Sequence, residues 1–296
     1  MVRTLAPLQR GRHDCCQSAL GGRAVWRTAR LASGTVVARI VQDDDQRVSC
    51  SAWGEGASQF VDELPTLLGD GDAPEDLDCT SHRLLAKLQR GHPWLRMPRS
   101  GLVFEAIVGS ILEQRVTVQE ALAGRRWLYE RYGDATPAAP RGMPAHLRLA
   151  PSPATWLAIP SWDWHRAGVD VHRAATIRRC AEVAARLDET ISMERTDGMR
   201  RMRAVAGVGV WTLAETWQRS HGDADLVSFG DVHVARFVGY ALTGESTDHH
   251  GMQELLEPWR GHRQRVVRLL QLGASLGAVQ TAPRIPKARP RQHLRF

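Results

Sequence analysis

The sequence is poor in lysine. Of its 296 residues, 39 are Lys or Arg, and only Lys87 and Lys287 are lysines. A mechanism that forms a Schiff base therefore has two side chains available to it. Cysteine is also scarce, because the chain has five with no C-x-x-C spacing, and this argues against a zinc module or a disulfide framework. No apolar run approaches the ~20 residues that a membrane helix needs.

The start of the chain has no pattern typical of a secretory signal. Residues 1–17 include arginines, but no apolar stretch follows them. We therefore expect a cytoplasmic protein that does not insert into a membrane. Hydrophobic residues make up 43% of the chain and charged residues 24%, as is typical of a soluble globular protein. No motif for a cofactor or a metal ion is present, and we expect neither.

Charge is unevenly distributed. The formal net charge is +7, yet residues 41–80 hold eleven acidic residues and one basic residue. That segment sums to −10, which leaves +17 for the remainder. A mostly basic body favours a polyanionic partner such as nucleic acid. An ordinary basic protein from an arginine-rich genome is an equal alternative on charge alone.

The hydrophobic pattern divides the chain into three parts. Residues 35–42 and 47–53 alternate like two strands of a hairpin, and a short helix is expected near residues 60–68. We therefore predict a small α+β domain with an antiparallel sheet at residues 1–78. An all-helical domain is predicted at 79–275, and a basic, disordered tail at 276–296.

Helical periodicity dominates the second part. Apolar residues follow the i, i+3, i+4, i+7 spacing over 104–112, and Thr117 with Glu120 forms a T-x-x-E capping box at the start of the next helix. Residues 133–154 have the composition of a long loop. Further helices are predicted at 164–187, 197–205, 210–220, 232–242 and 261–272.

The most specific segment lies between two of these helices. Residues 202–209 have the pattern h-x-x-h-x-G-h-G and end on Gly207, Val208 and Gly209. Glycines at these positions allow a tight turn whose N–H groups approach an anion, and the next helix begins at once, so its positive end faces the same point. Such a hairpin contacts a phosphate without reading base sequence. A plain glycine turn is the alternative.

After that second helix comes a loop, Ser228-Phe-Gly-Asp231, at the start of another helix. In this order the segments resemble the helix-hairpin-helix (HhH-GPD) superfamily of DNA glycosylases. The resemblance implies that Asp231 is the essential aspartate, which stabilises positive charge on the deoxyribose or activates water. Capping of the following helix is a second role that Asp231 can have at the same time.

A second motif supports the resemblance. Residues 104–118, F-E-A-I-V-G-S-I-L-E-Q-R-V-T-V, are similar to the helix and turn with which this superfamily fills the gap left by a flipped base. Gln114 and Arg115 occupy that turn, so the resemblance implies that they contact DNA. Thr212, in the first turn of the helix after the hairpin, is assigned to the DNA contacts as well. Arg115 departs from the apolar residue that is frequent in bacterial relatives.

The absence of certain residues indicates which branch of the superfamily the chain resembles. Members that also cut the backbone have a lysine two residues after the second hairpin glycine, where this chain has Trp211. No cysteine follows Cys180, so the iron–sulfur branch is excluded. The resemblance therefore implies a monofunctional enzyme of the bacterial 3-methyladenine DNA glycosylase II type, associated with the nucleoid.

The base pocket is expected to contain tryptophan. Trp211 and Trp217 offer indole faces, which favour a cationic methylated base. Glu215 stands where relatives have an aromatic residue, and we assign it to the same pocket. Most tryptophans in proteins are core residues, which is the alternative for Trp217.

We therefore predict an enzyme that acts as a monomer on double-stranded DNA containing damaged bases. It would flip an alkylated purine out of the helix and hydrolyse its N-glycosidic bond in base-excision repair. The rival hypothesis is a non-catalytic DNA-binding protein or lesion sensor that keeps the hairpin.

Overall fold

The computed structural model of the chain describes residues 1–20, 22–138 and 141–281. These residues form one sheet of four antiparallel strands, which lie side by side in the order of the sequence. They are β1 (Gln17–Leu20), β2 (Ala24–Leu31), β3 (Gly34–Gln42) and β4 (Val48–Trp53). The hairpin of β3 and β4 confirms the sequence prediction. Strand β2 was not predicted because most of its residues are buried on both faces, Arg27 included, so its sequence does not alternate.

Two short helices cover this sheet. Helix α1 (Val2–Leu5) precedes it and α2 (Ala57–Leu67) follows it. Leu5, Ile40 and Phe60 meet in the apolar core between helices and sheet. The predicted small α+β arrangement with an antiparallel sheet is thus confirmed.

The rest of the described chain is helical. The helices are α3 (Arg83–Gly91), α4 (Val103–Leu112), α5 (Val118–Tyr132), α6 (Pro153–Ala158), α7 (Ser161–Arg166), α8 (Val171–Glu182), α9 (Ala184–Asp188), α10 (Arg195–Arg203), α11 (Val210–Ser220), α12 (Val232–Thr243), α13 (His249–Leu256) and α14 (Arg263–Ser275). None of the helices in these ranges is both long and apolar enough to cross a bilayer. The mainly helical fold class is confirmed, whereas the boundary at residue 78 stays a prediction. The predicted tail at 276–296 falls outside the described residues from 282 onward.

Two apolar cores hold these helices together. One lies around α4, α8 and α11, with Ile107, Ile177 and Leu213 among its buried residues. The other joins α3, α12, α13 and α14. Helices from both cores begin at the same cleft. Because the cores are tightly packed, they fix the walls of that cleft relative to each other.

The prediction of a single helix at 164–187 is wrong, because helices α7, α8 and α9 occupy this range. Gly168 adopts a positive φ of +71°, which ends the first of them. Asp170 then accepts hydrogen bonds from the N–H groups of His172 and Arg173, both 3.0 Å, and starts α8. The apolar periodicity continues across this break, which is why the sequence pattern concealed it.

Part of the acidic segment at 41–80 has a structural role. Asp72 forms a two-pronged ion pair with Arg265 of α14, whose side chain is 2% exposed. The same carboxylate accepts a hydrogen bond of 2.8 Å from Met97 N–H. The linker after α2 is thereby fixed against the C-terminal helix.

Removing this carboxylate should destabilise the fold. We expect Asp72→Asn to lower the free energy of unfolding by about 3 kcal/mol, because the buried guanidinium of Arg265 loses its counter-ion. Asp44→Asn is the matched control, since Asp44 pairs with Arg23 in solvent with side chains 81% and 66% exposed. Surface pairs contribute about 0–1 kcal/mol. Urea unfolding measures the free energy of unfolding of both variants. Equal losses in the two variants would contradict the structural role of Asp72.

Candidate active site

A cleft of about 1430 Å³ lies beside the glycine hairpin. Its walls are the turn between α4 and α5, the starts of α8 and α11, and the start of α12. The first residues of four helices at or next to this cleft are strongly exposed valines, between 51% and 74% exposed: Val118, Val171, Val210 and Val232. The cleft is therefore surrounded by helix N-termini with an apolar rim.

Only one of those four helix starts has no side-chain cap. Side chains cap three of them, namely Thr117 on α5, Asp170 on α8 and Asp231 on α12. Helix α11 begins after Gly209, which has no side chain to cap it. The uncapped N–H groups of a helix start attract an anion, and the helix dipole adds to the attraction. The start of α11 is thus the strongest anion-binding end in this cleft.

The hairpin between α10 and α11 presents its two glycines differently. Gly207 has φ of +98°, and a Cβ there would overlap the Thr176 hydroxyl. A Cβ on Gly209 would meet no atom within 4 Å, so that face of the turn is open to the cleft.

The N–H groups of the hairpin are not equivalent. Val208 donates to the Val205 carbonyl over 3.0 Å, and its side chain is buried. Within the described chain, Gly207 and Gly209 donate to no carbonyl or side chain. The two glycines are thus the free donors, whereas Val208 shapes the turn.

Gln114 braces the hairpin from the opposite wall. Its Nε2 donates to the Gly207 carbonyl over 3.1 Å and to Thr212 Oγ1 over 2.7 Å. Thr212 is among the residues that line the cleft, but it is only 2% exposed and its hydroxyl is occupied by Gln114. Arg115, next to Gln114, is exposed at the tip of the turn with a positive φ of 55°. Such a backbone conformation is strained for a non-glycine residue.

Asp231 divides its two carboxylate oxygens between two tasks. Oδ1 accepts from the N–H groups of His233 and Val234 over 2.9 and 3.3 Å and so caps α12. Oδ2 accepts a hydrogen bond of 3.3 Å from Trp211 Nε1. Both Trp211 and Asp231 line the cleft. The second oxygen thus stays next to an indole at the cleft wall, within reach of a ligand.

Two residues predicted for the base pocket do not line this cleft. Glu215 pairs with Arg219 Nη1 over 2.6 Å and accepts a hydrogen bond from Ser228. Trp217 is 2% exposed, in the core, and stacks on His221 with ring centroids 3.6 Å apart. On α11, positions 213 and 217 share the buried face, which turns Trp217 away from the face of Trp211. The structure therefore brings neither residue to the cleft.

Four further residues of the cleft were not assigned to the site from the sequence, although His165 and His172 were considered as donors to a phosphate or a leaving base, with a structural role as the alternative. Glu113, His165, His172 and Arg173 all line the cleft. Arg173 donates to the Leu112 carbonyl over 2.9 Å and to the Gly168 carbonyl over 2.8 Å, so it ties the start of α8 to the end of α4. Among residues with described positions, no three His, Cys, Asp or Glu side chains are grouped to hold a metal ion.

The fold of the chain is similar to that of several solved DNA glycosylases. A 3-methyladenine DNA glycosylase from Archaeoglobus fulgidus superposes with a TM-score of 0.75 at 17% identity, over 94% of this chain and 96% of that one. The 8-oxoguanine glycosylase/lyase of Clostridium acetobutylicum gives 0.66 at 13%, over 88% of each. A DNA-3-methyladenine glycosidase from Bacillus halodurans gives 0.51 at 20%, over 73% and 90%. No family model and no curated protein sequence matches the chain.

Proposed function

We propose that this protein is a monofunctional DNA glycosylase that removes alkylated purines from duplex DNA. The observation that supports it best is the placement of Asp231, whose Oδ2 lies at the wall of a cleft and accepts only the 3.3 Å hydrogen bond from Trp211 Nε1 among the described residues. A carboxylate in such a position stabilises the positive charge that develops on a deoxyribose when its base departs. For DNA binding itself, an anion close to the phosphates is unfavourable.

The hairpin supplies the DNA contact in this proposal. The open N–H groups of Gly207 and Gly209 bind one phosphate near the lesion, with the uncapped start of α11 behind them. Arg115, exposed on the opposite wall, enters the space that the flipped nucleotide leaves in the duplex. Gln114 keeps the two walls at a fixed separation through its bonds to Gly207 and Thr212.

The proposal includes no strand cleavage. A β-elimination that proceeds through a Schiff base needs an amine near the sugar, and the cleft-lining residue two positions after Gly209 is Trp211. Lys87 is in α3, outside the cleft lining. The other lysine, Lys287, lies outside the described residues. In this proposal water is the nucleophile: its oxygen bonds to C1′, the N-glycosidic bond breaks and its electron pair leaves with the base, and the proton of the water passes to solvent.

Alkylated purines are the proposed substrates because of the chemistry of the cleft. A purine alkylated at N3 or N7 is already cationic, so it leaves as a neutral molecule without strong acid catalysis. The Trp211 indole at the cleft wall attracts a cationic ring through its π face. Two of the similar structures are a 3-methyladenine DNA glycosylase and a DNA-3-methyladenine glycosidase. We expect the protein to act as a monomer.

Base release from randomly methylated duplex DNA tests the proposal. We expect free methylated purines by chromatography, together with strands that break only after alkali treatment. Strand breaks without alkali would contradict the monofunctional assignment. Tight DNA binding with no base release from a panel of alkylated, deaminated and oxidised duplexes would favour the non-catalytic binding protein.

A further inference from the structure

Glu113 is a second carboxylate in the cleft, and the proposed chemistry does not use it. It is the last residue before Gln114, at the C-terminal end of α4, and it lines the same cleft as Trp211 and Asp231. The Gln114 side chain bonds to Thr212, the residue after Trp211, over 2.7 Å. Glu113 and Trp211 are therefore held on facing segments of backbone.

The position of Glu113 is fixed by a buried arginine. Arg10 Nη1 lies 2.5 Å from Glu113 Oε2, with the two side chains 6% and 26% exposed. Arg10 is itself held by the Ala106 carbonyl and Ser110 Oγ, each at 3.2 Å. A Cβ on Gly109 would overlap the guanidinium, so the glycine makes room for it. An arginine from the N-terminal segment thus fixes this glutamate on the helical body.

The second oxygen of this carboxylate is available to a ligand. In the described part of the chain, no group donates a hydrogen bond to Glu113 Oε1, and the side chain is partly open to the cleft. A carboxylate paired with a guanidinium accepts hydrogen bonds and donates none. It therefore favours an N–H group opposite it and disfavours an oxygen there.

We infer that Glu113 selects the flipped base by accepting a hydrogen bond from its exocyclic amino group. This rests on the proposed glycosylase function. Methyladenine offers the 6-amino donor, whereas hypoxanthine offers a 6-oxo acceptor that opposes the carboxylate. A site built to pair with one polar group rejects the analogue that lacks it, because its own polar atoms are then left unpaired. Glu113 is thus the residue that determines specificity between amino- and oxo-purines.

The test compares two substrates and two variants. Single-turnover base release is measured on a methylated duplex of A·T pairs, which yields methyladenine, and on a duplex with one hypoxanthine. Glu113→Gln keeps the size and a hydrogen-bond acceptor for Arg10, so the fold is expected to persist. Glu130→Gln is the matched control, because Glu130 is exposed on α5 and does not line the cleft.

We expect Glu113→Gln to slow methyladenine release by about tenfold to 100-fold, as for the loss of a charge-assisted hydrogen bond. Hypoxanthine release should stay the same or rise. Affinity for a duplex with an abasic-site analogue should not change, since no base is present to contact Glu113. Glu130→Gln should match the wild type throughout.

Three results overturn the inference. If Glu113→Gln slows both substrates equally, or only lowers the melting temperature, Glu113 has a purely structural role beside Arg10. If Glu113→Gln releases methyladenine at the wild-type rate, Glu113 does not contact the base, whereas the proposed glycosylase function is unaffected. If the wild type releases no base from any duplex, the proposed function itself fails, and the inference fails with it.

Discussion

Replacement of Asp231 by asparagine should abolish base release while the protein continues to bind DNA. Asparagine caps a helix as well as aspartate does, so α12 should begin at the same residue. The side chain loses its negative charge, and with it the stabilisation of the developing sugar cation. We expect single-turnover release to fall by at least about 100-fold, in line with the loss of one preorganised electrostatic group.

The DNA affinity of Asp231→Asn separates catalysis from folding. Removal of an anion from a surface that meets phosphates should leave binding unchanged or tighten it. Asp248→Asn is the matched control, because Asp248 caps α13 through a bond of 2.9 Å to Gly251 N–H and does not line the cleft. It should keep full activity. Wild-type activity in Asp231→Asn, or parallel loss of binding and activity, would contradict the assigned role.

The second large effect is expected at Gly207. Alanine there would have to keep φ near +98° and place its Cβ against the Thr176 hydroxyl and 2.7 Å from Thr176 Cγ2. Backbone strain and overpacking together should lower the free energy of unfolding by about 2–4 kcal/mol. Because the turn must change shape, the phosphate contact is lost as well, and DNA affinity should fall at every base sequence.

Gly209→Ala is the informative comparison. Its backbone φ of −86° suits any residue, and its Cβ would enter open space. The melting temperature should stay at the wild-type value, whereas DNA binding should weaken, because the methyl group faces the position of the phosphate. Thr176→Ala combined with Gly207→Ala should recover part of the lost stability. Equal melting temperatures for Gly207→Ala and Gly209→Ala would contradict this description of the turn.

The local signals in the sequence predicted the parts of the site that depend on local structure. The capping box of Thr117 and Glu120 is present as predicted. Helix α11 begins and ends at the predicted residues, and Asp231 caps α12. Each of these features depends on residues within a few positions of one another, so a single sequence contains all the information.

The features that sequence reasoning missed depend on distant partners. Arg10 and Glu113 are 103 positions apart, and no periodicity links them. Trp217 was assigned to the pocket because a tryptophan on a helix does not show which face of that helix is buried. The spacing of Leu213 and Trp217 is itself an i, i+4 core pattern, and this signal, which the assignment to the pocket did not use, indicates a core position for Trp217. Helix α13 was missed because Met252 and Leu256 are its only buried residues.

The most direct test of the central claim is the affinity for a transition-state mimic. A duplex in which a pyrrolidine ring replaces the deoxyribose has a positive charge at the position where Asp231 would stabilise it. A tetrahydrofuran abasic site is the neutral control. We predict that the wild type binds the cationic duplex at least about 100-fold more tightly than the neutral one, and that Asp231→Asn binds both equally. Equal affinity of the wild type for the two duplexes would contradict the account.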